Sequence, residues 1–500
     1  MSTADPDLGD LLAHVLPTDL RLTIRHLSST PVECEALFTA PPGEYPETTF
    51  CENHYLSVSI NPSGQNGREI IIFGMEVLVY TTAHLTTVFI SKADSTGFLY
   101  LLKAPRKVSI LRLISTTFLS FLVRTRQREG VRLVLSLFAR SQNQYIFPGS
   151  IKNAEKHVLD DRGLIKWWCR ALDPIIREYE PESTHGSEGP LDQTTESAKS
   201  SATAFLIVPG CDKFETRSFF PPSAKSDDKI QSRWLNSYPR EQLCRNPDAP
   251  PRCLVPRFPD DPKTRFLIDL DDELLEQTED GASGENSGQW LSVRSLDQFW
   301  ELMSFRQECS AGRLVGFLWV VVNPPGLVNS ISMADTTASA GQNVNGSAIA
   351  QSTMTPRTLS EQNSSPFHWP DAGRGHVVLS ETDYKSAVDS ILGHDFYNEE
   401  VSIASTKAWV DIVASLSDQL CWGKEIVGIN TTFETATKPQ EPNNLMDSSF
   451  IRKRKNADAE ENKSTDVDSA TPDAKPQPEP EQSPGVNVLN ANLVRKKKKT

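Results

Sequence analysis

The chain has 500 residues, 38% of them hydrophobic and 8% aromatic with nine Trp, which suffices for one large core or two to three ordinary domains. Its net charge of −14 is uneven: the last fifty residues hold 11 Lys+Arg against 8 Asp+Glu, a net of +3, leaving −17 for residues 1–450. An acidic body argues against non-specific DNA binding, which needs Lys and Arg at the phosphates; it suits a basic protein partner through long-range steering, or is plain acidic solubility.

The opening MSTADPDLGDLL is acidic and polar, so no secretory signal is expected. β-branched or alternating runs predict strands at Arg21–His26, Tyr55–Ile60, Ile70–Tyr80, Thr87–Ser91, Val131–Ala139, Phe205–Val208 and Leu314–Val322. Helical periodicity fits 108–127, 161–179, 263–276, 295–308, 382–392 and about 398–420. The apolar stretch Val108–Val123 carries Arg112 and is short for a membrane span, as befits a buried helix. Strands and helices interleave, and four strands precede the first long helix. The expected fold class is α/β (α+β), a central mixed sheet flanked by helices. Residues 181–203, 221–257 and 324–366 are polar or Pro-rich and are expected as flexible insertions in one domain, 1–430. From 431 to 500 no apolar periodicity returns, which predicts a disordered basic tail. Its clusters Arg452–Lys455 and Arg495–Lys499 read as nuclear localisation signals, against the plain reading of solvated charge runs.

The eight Cys contain no CxxC pair and do not alternate with His at zinc-ligand spacing, so no metal is expected. No GxxxxGK[ST], HExxH or GxSxG is present, and the glycines at 281, 284 and 287 sit in an acidic loop as turn residues. Asp261 followed by Pro262 predicts a helix N-cap with Pro in the first helical position. Asp94 before Ser-Thr-Gly reads locally as a turn former that bonds nearby backbone N–H groups.

Four ordered motifs carry a resemblance. They are Val88-Phe89-Ile90-Ser91-Lys92-Ala93-Asp94-Ser95-Thr96-Gly97; Leu137-Phe138-Ala139-Arg140 through Gln144-Tyr145-Ile146-Phe147-Pro148; Lys152 to Leu159 with Lys166-Trp167-Trp168; and Phe258-Pro259-Asp260-Asp261-Pro262-Lys263-Thr264-Arg265-Phe266. Asp297 to Glu301, with Gln307-Glu308, adds a fifth segment. Over about residues 8–425 the chain resembles the fungal histone H3 acetyltransferases of the regulator-of-Ty-transposition type, similar in fold to the CREB-binding-protein type of lysine acetyltransferases.

The resemblance implies acetyl-CoA as co-substrate, bound along Ala93, Asp94 and Ser95, the stretch Leu102-Lys103-Ala104-Pro105-Arg106, Phe138, Arg140, Gln142, His157, Val158, Leu159 and Trp167. In that stretch Lys103, Arg106 and backbone amides supply the donors that CoA phosphates need. Gln142 departs from the small residue expected there. The resemblance further implies Asp261 as proton acceptor, Trp168 at the acetyl-transfer site and Lys263 as a self-acetylated lysine. Acetyl transfer needs the neutral amine, whereas free lysine titrates near ~10.4. The expected reaction is direct attack, with Asp261 handling the lysine, Trp168 and Asp94 shaping its path and Tyr145 as candidate acid. Expected partners are histone H3 (H3–H4) and histone chaperones of the nucleosome-assembly and anti-silencing-function types. Replication-coupled nucleosome assembly, the DNA damage response and a nuclear location follow from the same resemblance. The alternative is a non-enzymatic acidic histone-binding adaptor.

Overall fold

In the computed structural model, described for residues 7–436 apart from 63, 65–67, 103, 105–107, 183–198, 229–230, 280–288, 307–312, 326, 328, 330–366, 368 and 420–421, one sheet organises everything. Its strands are β1 (Arg21–Ser29), β2 (Val32–Cys34), β3 (Thr49–Ile60), β4 (Ile70–Thr81), β5 (Leu85–Ser95), β6 (Arg132–Arg140), β7 (Ser201–Ile207), β8 (Trp234–Leu235), β9 (Val315–Asn323), β10 (Val377–Leu379) and β11 (Lys424–Val427). The order is β10-β1-β3-β4-β5-β6-β9-β7-β8, with β11 on β1 and β2 on β3. Most neighbours are antiparallel, but β5 and β6 run parallel, from Leu85↔Arg132 to Ile90↔Leu137.

The helices are α1 (Leu8–Val15), α2 (Ile110–Arg126), α3 (Asp161–Ile176), α4 (Lys213–Arg217), α5 (Arg240–Leu243), α6 (Pro262–Glu279), α7 (Leu296–Met303), α8 (Glu381–Leu392) and α9 (Glu399–Ser417). Strand alternation decides which helices cover which face. Leu133, Leu135 and Leu137 of β6, with Leu318, Val320 and Val322 of β9, join the core shared with α1, α2 and α3. Their neighbours Val134, Phe138, Phe317, Trp319 and Val321 join the core beneath α6 and α7. A third core, built on Tyr55, Trp409 and Trp422, seats α8 and α9 on the far end of the sheet.

Three expectations change. Residues 221–257 do not form a loose insertion: they carry β8 and α5, and Trp234, Leu243, Cys244, Leu254 and Val255 are buried. Their large apolar side chains outweigh the Pro and charge content. The strand expected at Phe205–Val208 starts earlier, at Ser201, inside the segment expected as a loop. The ordered chain also continues past 430. β11 pairs with β1, Asn430 exchanges backbone bonds with Leu16 and Thr18, and a 3-10 turn spans Thr431–Ala436. The rest of the predicted tail and most of 324–366 lie outside the described residues.

Candidate active site

Parallel strands joined by a crossover helix leave a crevice at their C-terminal ends. Here α2 joins β5 to β6, and the last β5–β6 pair is Ile90↔Leu137. At Ser91 the β4–β5 register slips, so that Val77 faces Ile90 while Glu76 faces Lys92. This bulge lets β5 follow β4 away from β6, and it re-aims the side chains beyond it. The gap is a cavity of about 180 Å³, lined by Lys92 to Ser95, Leu137, Phe138, Arg140 to Gln142, Tyr145, Lys156 to Leu159, Trp167 and Trp168 among others.

One carboxylate organises its wall. Asp94 Oδ2 accepts from the backbone N–H groups of Tyr145 (2.8 Å), Ile146 (3.0 Å) and Phe147 (3.3 Å). Its Oδ1 accepts from Lys156 Nζ (2.8 Å) and from Ser95 N (2.8 Å). The ion pair is buried, with Asp94 and Lys156 side chains 7% and 3% exposed. Lys156 also donates to Ser150 Oγ at 2.8 Å. The loop so held passes close over β4, where Gly74 leaves the room. A methyl group there would lie 2.5 Å from the Tyr55 hydroxyl and 3.0 Å from the Phe147 ring.

Trp167 and Trp168 meet edge to face at 4.9 Å on the first turns of α3, and both line the cavity. Trp168 is buried among the core residues of α2 and α3, so it roots the wall in the fold. The Tyr145 hydroxyl donates to the Arg140 carbonyl at 2.8 Å. Burial pushes its phenol up, a push the Arg140 guanidinium opposes and the Asp94 and Asp260 charges reinforce. The hydrogen bond to the Arg140 carbonyl ties the loop to the end of β6. Arg140 lies over the Phe138 ring at 5.7 Å and, with the Gln142 amide oxygen turned toward it, donates to that oxygen from Nε at 3.0 Å.

Of the residues singled out in the sequence, the structure brings Ala93, Asp94, Ser95, Phe138, Arg140, Gln142, Tyr145, His157, Val158, Leu159, Trp167 and Trp168 together in the wall of one cavity. Leu102 and Ala104 instead pack against the main core. Lys103, Pro105 and Arg106 lie outside the described residues. Asp261 is not among the described residues that line the cavity, and its side chain is 1% exposed. Its Oδ1 caps α6 by accepting from Lys263 N (2.8 Å), and its Oδ2 pairs with Lys263 Nζ. Lys263, the lysine for which the resemblance implies self-acetylation, is equally buried, its ammonium 4.4 Å from the Phe317 ring centre. Burial pulls its pKa down against the pull of Asp261. Sequence reasoning assigned no role to Lys156 or Lys92. The former's partner is 62 residues away, and only the bulge brings the latter to face Glu76. Among the described residues that line the cavity there is no Cys.

The model of the histone acetyltransferase KAT11-type domain matches residues 8–132 and 126–412. The chain belongs to this histone acetyltransferase family. It is 57% identical to the histone acetyltransferase rtt109 of Aspergillus flavus over the whole length of both chains. It is 32% identical to the rtt109 of Schizosaccharomyces pombe, over 62% of this chain and 70% of that one. The crystal structure of Rtt109 from Aspergillus fumigatus superposes with a TM-score of 0.75 at 65% identity, covering 85% of this chain and all of the other. As a KAT11-type histone acetyltransferase the chain uses acetyl-CoA as co-substrate and acts on histone. The cavity suits that substrate: its floor is apolar, as a thioester arm requires, and its rim carries the Arg140 guanidinium.

Proposed function

We propose that the chain acetylates lysines of histone H3, chiefly a core-region lysine near the DNA entry point and secondarily tail lysines, stimulated by chaperones of the nucleosome-assembly and anti-silencing-function types. Replication-coupled nucleosome assembly and the DNA damage response are the settings this reading assigns, with import through Arg452–Lys455 and Arg495–Lys499. The support is the family itself and the acidic body, which attracts a basic histone.

The observation that carries the assignment of the site is the tryptophan-walled cavity where β5 and β6 part. In this reading the thioester arm lies along Ala93–Ser95 and Val158–Leu159. Trp167 and Trp168 exclude water, which lowers the cost of a neutral lysine amine. The amine attacks the acetyl carbonyl carbon, the C–S bond breaks, and the thiolate leaves with the proton given up by nitrogen. Asp94 fixes the loop that carries Tyr145, while Asp261 holds Lys263 at the head of α6. Lys263 self-acetylation, on this account, requires the first turn of α6 to open, because the amine is sealed from solvent.

Calorimetric titration with acetyl-CoA tests the site. Trp167→Ala should weaken binding about tenfold, and an unchanged affinity would move the co-substrate elsewhere.

A further inference from the structure

Beside the cavity, in contact with its lining residue Lys92, stands a carboxylate to which the motif reading gave no role. In the turn before α6, Phe258 stacks on Phe89 of β5, ring centres 4.1 Å apart and 4° from parallel. Thr264 Oγ1 accepts from Phe258 N (2.8 Å) and donates to Phe258 O (2.9 Å), closing the turn. Within this rigid frame Asp260 adopts a left-handed backbone, φ 57°. A non-glycine residue there is uncommon, and such outliers gather where function fixes a side chain's direction. The two neighbours are thereby sent opposite ways. Asp261 is sealed at 1% exposure, whereas the Asp260 side chain is 55% exposed.

Asp260 points toward Lys92, which itself lines the cavity. Lys92 Nζ lies 3.3 Å from Glu76 Oε2 and 3.7 Å from Asp260 Oδ2. Burial pulls the Lys92 ammonium down, but Glu76 and then Asp260 more than offset this and raise it. Lys92 is shared between two carboxylates and lies nearer Glu76, so Asp260, its side chain 55% exposed, has room to take a second ammonium.

We propose that Asp260, held beside the cavity by the positioning residue Lys92, is the carboxylate on which the substrate lysine's ammonium docks before transfer. This rests on the reading of the cavity as the acetyl-CoA site. It assigns to Asp260 the contact with the lysine that the motif gave to Asp261. The group binds and orients the ammonium; attack follows once that ammonium has released a proton to solvent water.

Asp260→Asn is a clean test, because Asn adopts the left-handed backbone as readily as Asp. With full-length protein, acetyl-CoA and H3–H4, this variant should raise the KM for histone about tenfold, roughly 1.4 kcal/mol. The KM for acetyl-CoA and the thermal midpoint should not move, and Asp260→Glu should recover most of the loss. Lys92→Met should raise the histone KM several-fold, Lys92→Arg should not, and the Lys92→Met/Asp260→Asn pair should be no worse than Asp260→Asn alone. A wild-type histone KM in Asp260→Asn, or an acetyl-CoA KM that rises in step, overturns the proposal. Failure of the cavity reading shows separately, as acetyl-CoA affinity that ignores Trp167→Ala.

Discussion

Asp94→Asn isolates the clamp on which the cavity wall hangs. An amide must put its nitrogen where one carboxylate oxygen was. At Oδ2 that nitrogen would face three backbone N–H groups, and at Oδ1 it would face the Lys156 ammonium and Ser95 N. Both orientations set donor against donor, and neither leaves the buried Lys156 ammonium a carboxylate to pair with. Breaking a buried ion pair from one side costs about 3–5 kcal/mol. Unfolding entropy of ~2 cal/mol/K per residue, taken over the compact unit Met1–Lys438, converts each kcal/mol into about 1 °C. We therefore expect the thermal midpoint to fall by about 3–5 °C in calorimetry. Acetyl-CoA affinity should fall with it, because the freed loop carries Tyr145. Adding Lys156→Met should cost nothing further, since the stranded cation leaves. A midpoint within about 1 °C of wild type, together with unchanged acetyl-CoA binding, would refute the clamp.

Trp168→Phe should keep the fold, whereas Trp168→Ala, which empties a buried site, should cost about 3–5 kcal/mol in urea unfolding and abolish transfer; equal turnover in both variants would remove the indole from the site. Glu52 predicts an acid limb. Burial pushes its carboxyl up, but His54 and Arg126, bonded at 2.8 Å through Nε and Nη2, more than offset this and hold it at about 2 against an ordinary 4.5. A depressed carboxyl pKa contributes stability above the unfolded value and loses it as pH falls through the folded one. About 3 kcal/mol should thus vanish between about pH 4.5 and 2, and a Glu52→Gln variant should lose this limb; a wild-type curve flat across that window would contradict the pairing. Truncation after Lys438 should leave a folded, acetyl-CoA-binding protein, whereas truncation after Gly423 removes β11 and Asn430 and should lower the midpoint by circular dichroism. Equal midpoints would mean that β11 adds nothing.

The strong strands were legible because two-residue alternation and apolar runs survive in the sequence wherever both faces are buried, as in β4, β6 and β9. The short strands were not: β10 and β11 are three and four residues long, and their pairing with β1 is decided by tertiary neighbours. Within the site, motif resemblance located the wall but not the duties of its members. Asp94 reads locally as a turn former, yet four of its five bonds reach 51 to 62 residues along the chain. The pair Asp260-Asp261 looks interchangeable in sequence, and only the left-handed backbone at Asp260 separates an exposed carboxylate from a buried cap. Pro content misread 221–257, because Trp234 and Leu254 anchor what composition alone would leave loose.

The central claim is met most directly by incubating the full-length protein with labelled acetyl-CoA and H3–H4, with and without chaperone, and mapping the acetylated lysines by mass spectrometry. The account predicts label on H3 lysines, more of it with chaperone present, and none with Trp168→Ala. A protein that binds acetyl-CoA yet leaves H3 unlabelled under every condition would contradict it.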